Sequence, residues 1–303
     1  MKRLHRILLL PLLAFLTMGI LIACANSENN PQAAIKVGSK DFTEQLIVGE
    51  MYALTLEQAG FTVERKLNLG GTPVAQAALE SNEIDLYPEY TGTGLLTVLK
   101  LPALSDPREV LQAVSKGYQQ KYNLTWLDPA PMNNTQALAM TEVGAKKFGI
   151  RTISQMAAKA SELTLIGPPE FEVREDGLPG IKAKYGNFEL KEYKSVDAGL
   201  RYKGLVDGEA DVAVAFGTDG EIGAFNLIVL EDDKQLFPPY QIAPIVRQET
   251  LDANPNLAAA LNALAPKLTT EVMQRLNYEV SGKQRESIEV AREFLLQEGV
   301  IKG

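Results

Sequence analysis

The side chains best suited to holding a ligand cluster in Leu86-Tyr87-Pro88-Glu89-Tyr90-Thr91-Gly92-Thr93-Gly94, just ahead of the apolar run Leu95-Leu96-Thr97-Val98-Leu99. A short strand ends at a proline, and a ring, hydroxyls and glycines follow where a helix should begin. Backbone N–H groups are free at such a junction, and glycine lets a ligand approach the main chain. The stretch has an echo: Leu79-x-x-x-Glu83-Ile84-Asp85-Leu86 matches Leu205-x-x-x-Glu209-Ala210-Asp211-Val212. Five residues after each aspartate stands a ring, Tyr90 or Phe216, and a threonine follows, Thr93 or Thr218. Two readings fit: coincidence in two ordinary α/β units, or two similar lobes that each offer a ring and a hydroxyl to a shared cleft.

Absences narrow the chemistry. The only histidine is His5 and the only cysteine is Cys24. Lys2, Arg3 and Arg6 precede the apolar run Ile7 to Ile22, which is short for a membrane span and has the layout of a signal peptide. Leu21-Ile22-Ala23-Cys24 resembles a bacterial lipobox, which implies cleavage before Cys24 and lipid attachment to its sulfur. Residues 1–23 are therefore expected to be a lipoprotein signal peptide and 24–33 a polar, flexible tether. The mature chain would be exported, periplasmic or at the cell surface, held to the membrane by its lipid alone. Without histidine or a free thiol it cannot perform Ser-His-Asp or Cys-His chemistry, or build the common zinc sites. Carboxylate pairs such as Glu44 with Glu50, or Glu170 with Glu172, have no surroundings that demand catalysis. No enzyme, metal or cofactor is expected. Loss of the leader takes the formal charge from −8 to −11, since its charged residues are Lys2, Arg3 and Arg6. That balance is wrong for a nucleic-acid binder.

The remaining chain has the length of two ordinary domains. Ala34-Ile35-Lys36-Val37-Gly38 alternates as a strand, and Asp41 with Glu44 has the spacing of a helix capping box. Leu46, Ile47, Met51 and Leu54 continue at helical spacing to Gly60. Residues 62–69 alternate again, and Gly70-Gly71-Thr72-Pro73 turns into the next helix. Asp106-Pro107 opens a helix reaching about Lys121. Further strand and helix units follow, and the pattern from Leu251 onward is helical. Strands alternating with helices in this way indicate an α/β protein with mostly parallel sheets. The layout implies a discontinuous first lobe, residues 34–137 plus 242–303, and a second lobe, 138–241, with a hinge at the two crossings. The cleft should lie at the carboxyl ends of the strands.

Several motifs in order resemble one family: Gly38-Ser39-Lys40-Asp41-Phe42-Thr43-Glu44-Gln45, the Gly70-Gly71-Thr72 turn, Tyr90-Thr91-Gly92-Thr93, Phe171-Glu172-Val173-Arg174-Glu175-Asp176-Gly177 and Pro238-Pro239-Tyr240. The family is the glycine betaine/choline substrate-binding proteins of osmoprotectant-uptake ABC transporters. The resemblance spans nearly all of the mature chain and implies a two-lobed periplasmic-binding-protein fold of type II. It also implies a permease and an ATPase as partners, and a chain acting as a monomer. Carried over by motif, Tyr90, Phe216 and Tyr240 would form walls of an aromatic cage for a quaternary ammonium group. Lys40, Thr93 and Arg174 would hold a carboxylate. Gln136 stands where many relatives have a further tyrosine, and Phe216 where relatives often have one. A trimethylammonium head has no N–H, so only ring faces can select it, at about 0.5–2 kcal/mol per contact. Glycine betaine is the first expectation, then choline or carnitine. Gln136 and Phe216 leave an amino acid or other polar solute as the alternative.

Overall fold

The computed structural model describes residues 33–303, so the expected signal segment and Cys24 lie outside the described residues. Among the described residues ten strands form two five-stranded sheets. The first sheet contains β1 (Ile35–Gly38), β2 (Val63–Lys66), β3 (Leu86–Tyr90) and β4 (Leu124–Trp126). The second is built from β5 (Gln136–Met140), β6 (Thr164–Gly167), β7 (Glu192–Ser195), β8 (Val212–Phe216) and β9 (Ile228–Val229). The chain then returns to the first sheet as β10 (Ile242–Arg247). The sheet orders are β2-β1-β3-β10-β4 and β7-β6-β8-β5-β9.

These orders correspond strand for strand. In each sheet one strand, β1 or β6, pairs in parallel with two neighbours, and the strand entering from a crossing, β10 or β5, pairs antiparallel with two others. The sheets are thus mixed rather than mostly parallel: βαβ units supply the parallel half and the crossings bring in antiparallel strands. The sequence echo has the same physical job in both. The Asp85 carboxylate accepts the Lys36 N–H at 2.8 Å while the Asp85 N–H donates to the Lys36 carbonyl at 2.8 Å. Asp211 does the same with Thr164, at 3.0 and 2.9 Å. Each aspartate locks its strand against the parallel neighbour and so fixes where that strand ends, at Tyr90 in one sheet and Phe216 in the other. The repeat is structural, not coincidental.

The helix Thr43–Gln58 is buried on almost every side, with the first sheet on one flank and the terminal helices Thr270–Ser281 and Ser287–Gln297 on others. Ile47, Met51 and Leu56 are fully enclosed, as is Leu295 of the last helix. A separate core around Leu138, Ile153, Leu165, Ile181 and Val214 fills the space beside the second sheet. The helix Pro107–Tyr122 starts as expected, with Asp106 accepting from the N–H groups of Arg108 and Glu109. Two local expectations differ. The strand Gln136–Met140 is continuous, so the chain enters the second sheet before the boundary expected after Ala137. The helix Thr43–Gln58 has no side-chain cap, because its N-cap position is Phe42, which has no acceptor, and not Asp41.

Candidate functional site

The carboxyl ends of β3 and β8 open onto one cavity of about 670 Å³, within the size range of small-molecule sites. Lys40, Tyr90 and Thr93 reach it from the first sheet, Arg174 and Phe216 from the second, Gln136 from the start of β5, and Tyr240 from the return crossing. The fold therefore brings every one of these residues to a single cleft.

Its cations are already matched. The Lys40 Nζ donates to Glu89 Oε1 at 2.6 Å and to the Thr72 hydroxyl at 2.8 Å, with both members of the ion pair out of solvent. Burial lowers the Lys40 pKa, and the Glu89 charge beside it opposes that shift. Arg174 grips Asp176 with two donors, at 2.8 and 2.6 Å. A third cation, Arg201, donates to Asp219 at 2.6 Å and to the Val214 carbonyl at 2.8 Å. Lys40 and Arg174 face the cleft as expected, but each holds an internal carboxylate.

The rings are set by packing and by their hydroxyls. Tyr90 stacks on Phe42 with centroids 6.3 Å apart, and its hydroxyl donates to Glu44 Oε1 at 2.7 Å. Burial, with Glu44 adjacent, pushes the Tyr90 pKa well up, so this phenol stays a donor. Tyr240 donates to Asp176 Oδ2 at 2.9 Å and accepts from the Gln136 amide at 3.2 Å. Gln136 also donates to Asp176 at 2.6 Å. Where a fourth ring was conceivable, the amide holds Tyr240 and Asp176 in place. Phe216 lies opposite Gln136 across the β5–β8 ladder, and Arg201 sits over its ring at 5.4 Å and over the Tyr202 ring at 4.6 Å. Two of the expected walls thus already carry a protein cation, since Lys40 sits over the Tyr90 ring at 5.3 Å. Tyr87 is a sheet-core residue whose hydroxyl donates to Glu89 at 3.0 Å.

Sequence reasoning missed Phe42, Arg201, Tyr202, Asn134, Asn277 and Glu44 as cleft residues. Glu44 Oε1 accepts from Tyr90 and, at 3.0 Å, from the Asn134 amide; Oε2 accepts from Asn277 at 2.8 Å. Burial raises its pKa, opposed by bonds from Thr218, Asn277 and Tyr90. Glu50, its supposed partner, faces elsewhere and pairs with Arg65 at 2.7 Å. Asp176 has the opposite balance: burial would raise its pKa, but the Arg174 guanidinium holds it below the ordinary value. A depressed carboxylate contributes stability above its unfolded pKa, near 4, and loses it as the pH falls through the folded value. Melting temperatures should therefore drop on acidification below about pH 4, and Asp176→Asn should flatten that acid limb. An acid limb of equal steepness in the variant would show that the pair contributes nothing to it.

The profile of one protein family, the substrate-binding domain of ABC-type glycine betaine transport systems, matches residues 33–297. The chain belongs to this family. It is a substrate-binding protein of the glycine betaine and carnitine transport class. Over 272 residues it is 36% identical to a carnitine transport binding protein of Listeria monocytogenes, covering 89% of this chain and 88% of that one. It is 36% identical over 275 residues to a glycine-betaine-binding protein of Pseudomonas aeruginosa, covering 86% of each. The crystal structure of a glycine betaine/carnitine/choline ABC transporter protein aligns with a TM-score of 0.74 and 33% identity, covering 88% of this chain and 100% of that chain. The two-lobed fold and the family expected from the motifs both stand. Among the described residues no helix is long and apolar enough to cross a membrane.

Proposed function

We propose that this member of the glycine betaine family is an exported protein, lipid-anchored at Cys24, that captures a quaternary ammonium solute between its lobes. Lobe closure over glycine betaine, choline or carnitine would present the loaded form to an ABC permease and its ATPase. The observation that carries this reading is the convergence of Tyr90, Phe216 and Tyr240, from both sheets and the return crossing, on one cavity of suitable size. Ring faces attract a head group that offers no N–H, and burial strengthens that attraction. Thr93, Gln136, Lys40 and Arg174 supply the polar side of the same cavity. Contacts from both lobes exist together only when they close, so ligand binding stabilises the closed state. The two sheets, each with the helices packed on it, are the bodies we expect to move, about the crossings before Gln136 and before Ile242. The chain would work as a monomer.

Calorimetric titration with glycine betaine, choline, carnitine and arginine tests this. Saturable heat from a quaternary amine, and none from arginine, is the expected result. Heat from arginine alone would move the site to the amino-acid class, and silence from every quaternary amine would overturn the proposal.

A further inference from the structure

We propose that Glu44, Asn134 and Asn277 form an acceptor-only pole of the cleft that takes the cationic end of a ligand bearing its own hydrogen-bond donor. The chemical class is a quaternary ammonium with a hydroxyl on the second carbon from nitrogen, as in choline and carnitine, in preference to the donor-free head of glycine betaine. This rests on the reading of the cleft as a quaternary ammonium site.

The charge balance comes first. Each cation lining the cleft has its own carboxylate: Lys40 with Glu89, Arg174 with Asp176, Arg201 with Asp219. Glu44 is buried, lines the cleft and forms no ion pair with any described residue. The groups facing it are neutral or negative: Tyr90 from β3, Asn134 from the crossing, Thr218 and Asp219 after β8, and Asn277 from the helix Thr270–Ser281. The cleft lysine, Lys40, lies 5.3 Å from the Tyr90 ring centre and is bound to Glu89 and Thr72.

The amides supply the second, independent observation. Asn277 spends its amide nitrogen on Glu44 Oε2 and on the Thr218 carbonyl, both at 2.8 Å. Asn134 spends its nitrogen on Glu44 Oε1. A carboxylate accepts only, so both amides must turn their nitrogen toward it, and this fixes where their oxygens go. Both oxygens are buried, and neither has a donor among the described residues. An unpaired buried acceptor is costly, and Asn134 and Asn277 both line the cleft, where a ligand donor would complete the bonding. A trimethylammonium head alone offers only weak C–H contacts. A hydroxyl next to it offers a full donor, while the positive charge answers Glu44.

The test is calorimetry on the wild-type protein and Glu44→Gln with choline, glycine betaine and propyltrimethylammonium, which replaces the choline hydroxyl by a methyl group. Choline should bind wild type at least about tenfold more tightly than propyltrimethylammonium, since a site built around unpaired polar atoms rejects the analogue that lacks the matching group. Glu44→Gln should lose that margin and weaken choline more than glycine betaine. Equal affinities for choline and propyltrimethylammonium overturn the proposal, and so does a choline affinity untouched by Glu44→Gln. Binding of glycine betaine without choline overturns it while leaving the quaternary ammonium reading intact. If Glu44→Gln fails to fold, the wild-type affinity ratio decides alone.

Discussion

Lys40→Met is expected to destabilise the fold by about 3–5 kcal/mol, because it strips the counter-ion from a buried carboxylate. For a chain of this size that is a drop in melting temperature of roughly 6–20 °C. Glu89 is fully enclosed at 0% side-chain exposure. It also accepts from the Tyr87 hydroxyl at 3.0 Å and from the Tyr90 N–H at 2.7 Å, so it cannot swing out to water without dismantling the end of β3. The double substitution Lys40→Met with Glu89→Gln removes both charges and should recover most of the loss, because a neutral amide avoids the unpaired buried charge. Thermal melts of the single and double variants, without ligand, are the measurement. If Lys40→Met melts within a degree or two of wild type but loses affinity, the lysine serves the ligand carboxylate, and its bond to Glu89 contributes little.

That Lys40 faces the cleft was legible in the sequence; that its charge is already matched was not. The motif after the first strand gives the position of the side chain, whereas its partner comes from a strand beginning much later in the chain. Glu44 shows the same limit more sharply. Three residues after Asp41 it has capping-box spacing, and nothing local separates a carboxylate folded back on its helix from one turned outward. The deciding donors, Asn134 and Asn277, lie 90 and 233 residues away. The lobes were easier to see because the aspartate repeat encodes a short-range device, a strand start locked to its parallel neighbour, and that device occurs once per sheet. Tyr90 and Tyr240 were likewise legible as rings in distinctive motifs. Phe216 was legible only as a ring: Arg201, which sits over it, belongs to a different element, and the sequence gives no sign of which cation a ring face will meet.

Gly92→Ala is expected to weaken quaternary amine binding at least about tenfold, equivalent to roughly 1.4 kcal/mol, with a smaller effect on the fold. Gly92 is not among the positive-φ glycines, so space and not backbone conformation requires it. A Cβ there would fall 2.7–2.9 Å from three atoms of the Tyr240 ring. The backbone on either side has little freedom to yield. The Thr91 N–H donates to the Gln241 carbonyl at 2.9 Å, its hydroxyl donates to the Pro239 carbonyl at 3.1 Å, and the Gln241 N–H returns to that hydroxyl at 3.1 Å. Tyr90 is paired with Ile242 across the β3–β10 ladder. With both main chains tied, the strain of an added methyl, typically about 1–3 kcal/mol in a packed site, falls on the ring. Rotating it away would pull the phenol oxygen from Asp176 and Gln136, which hold it at 2.9 and 3.2 Å. Tyr240→Phe separates the two components, since it keeps the ring in place and removes only those bonds. Titration with choline and glycine betaine should rank affinity as wild type, then Tyr240→Phe, then Gly92→Ala. If Gly92→Ala instead binds as well as Tyr240→Phe, the ring face adds nothing beyond its hydroxyl, and Tyr240 is a strut of the crossing rather than a wall of the cage.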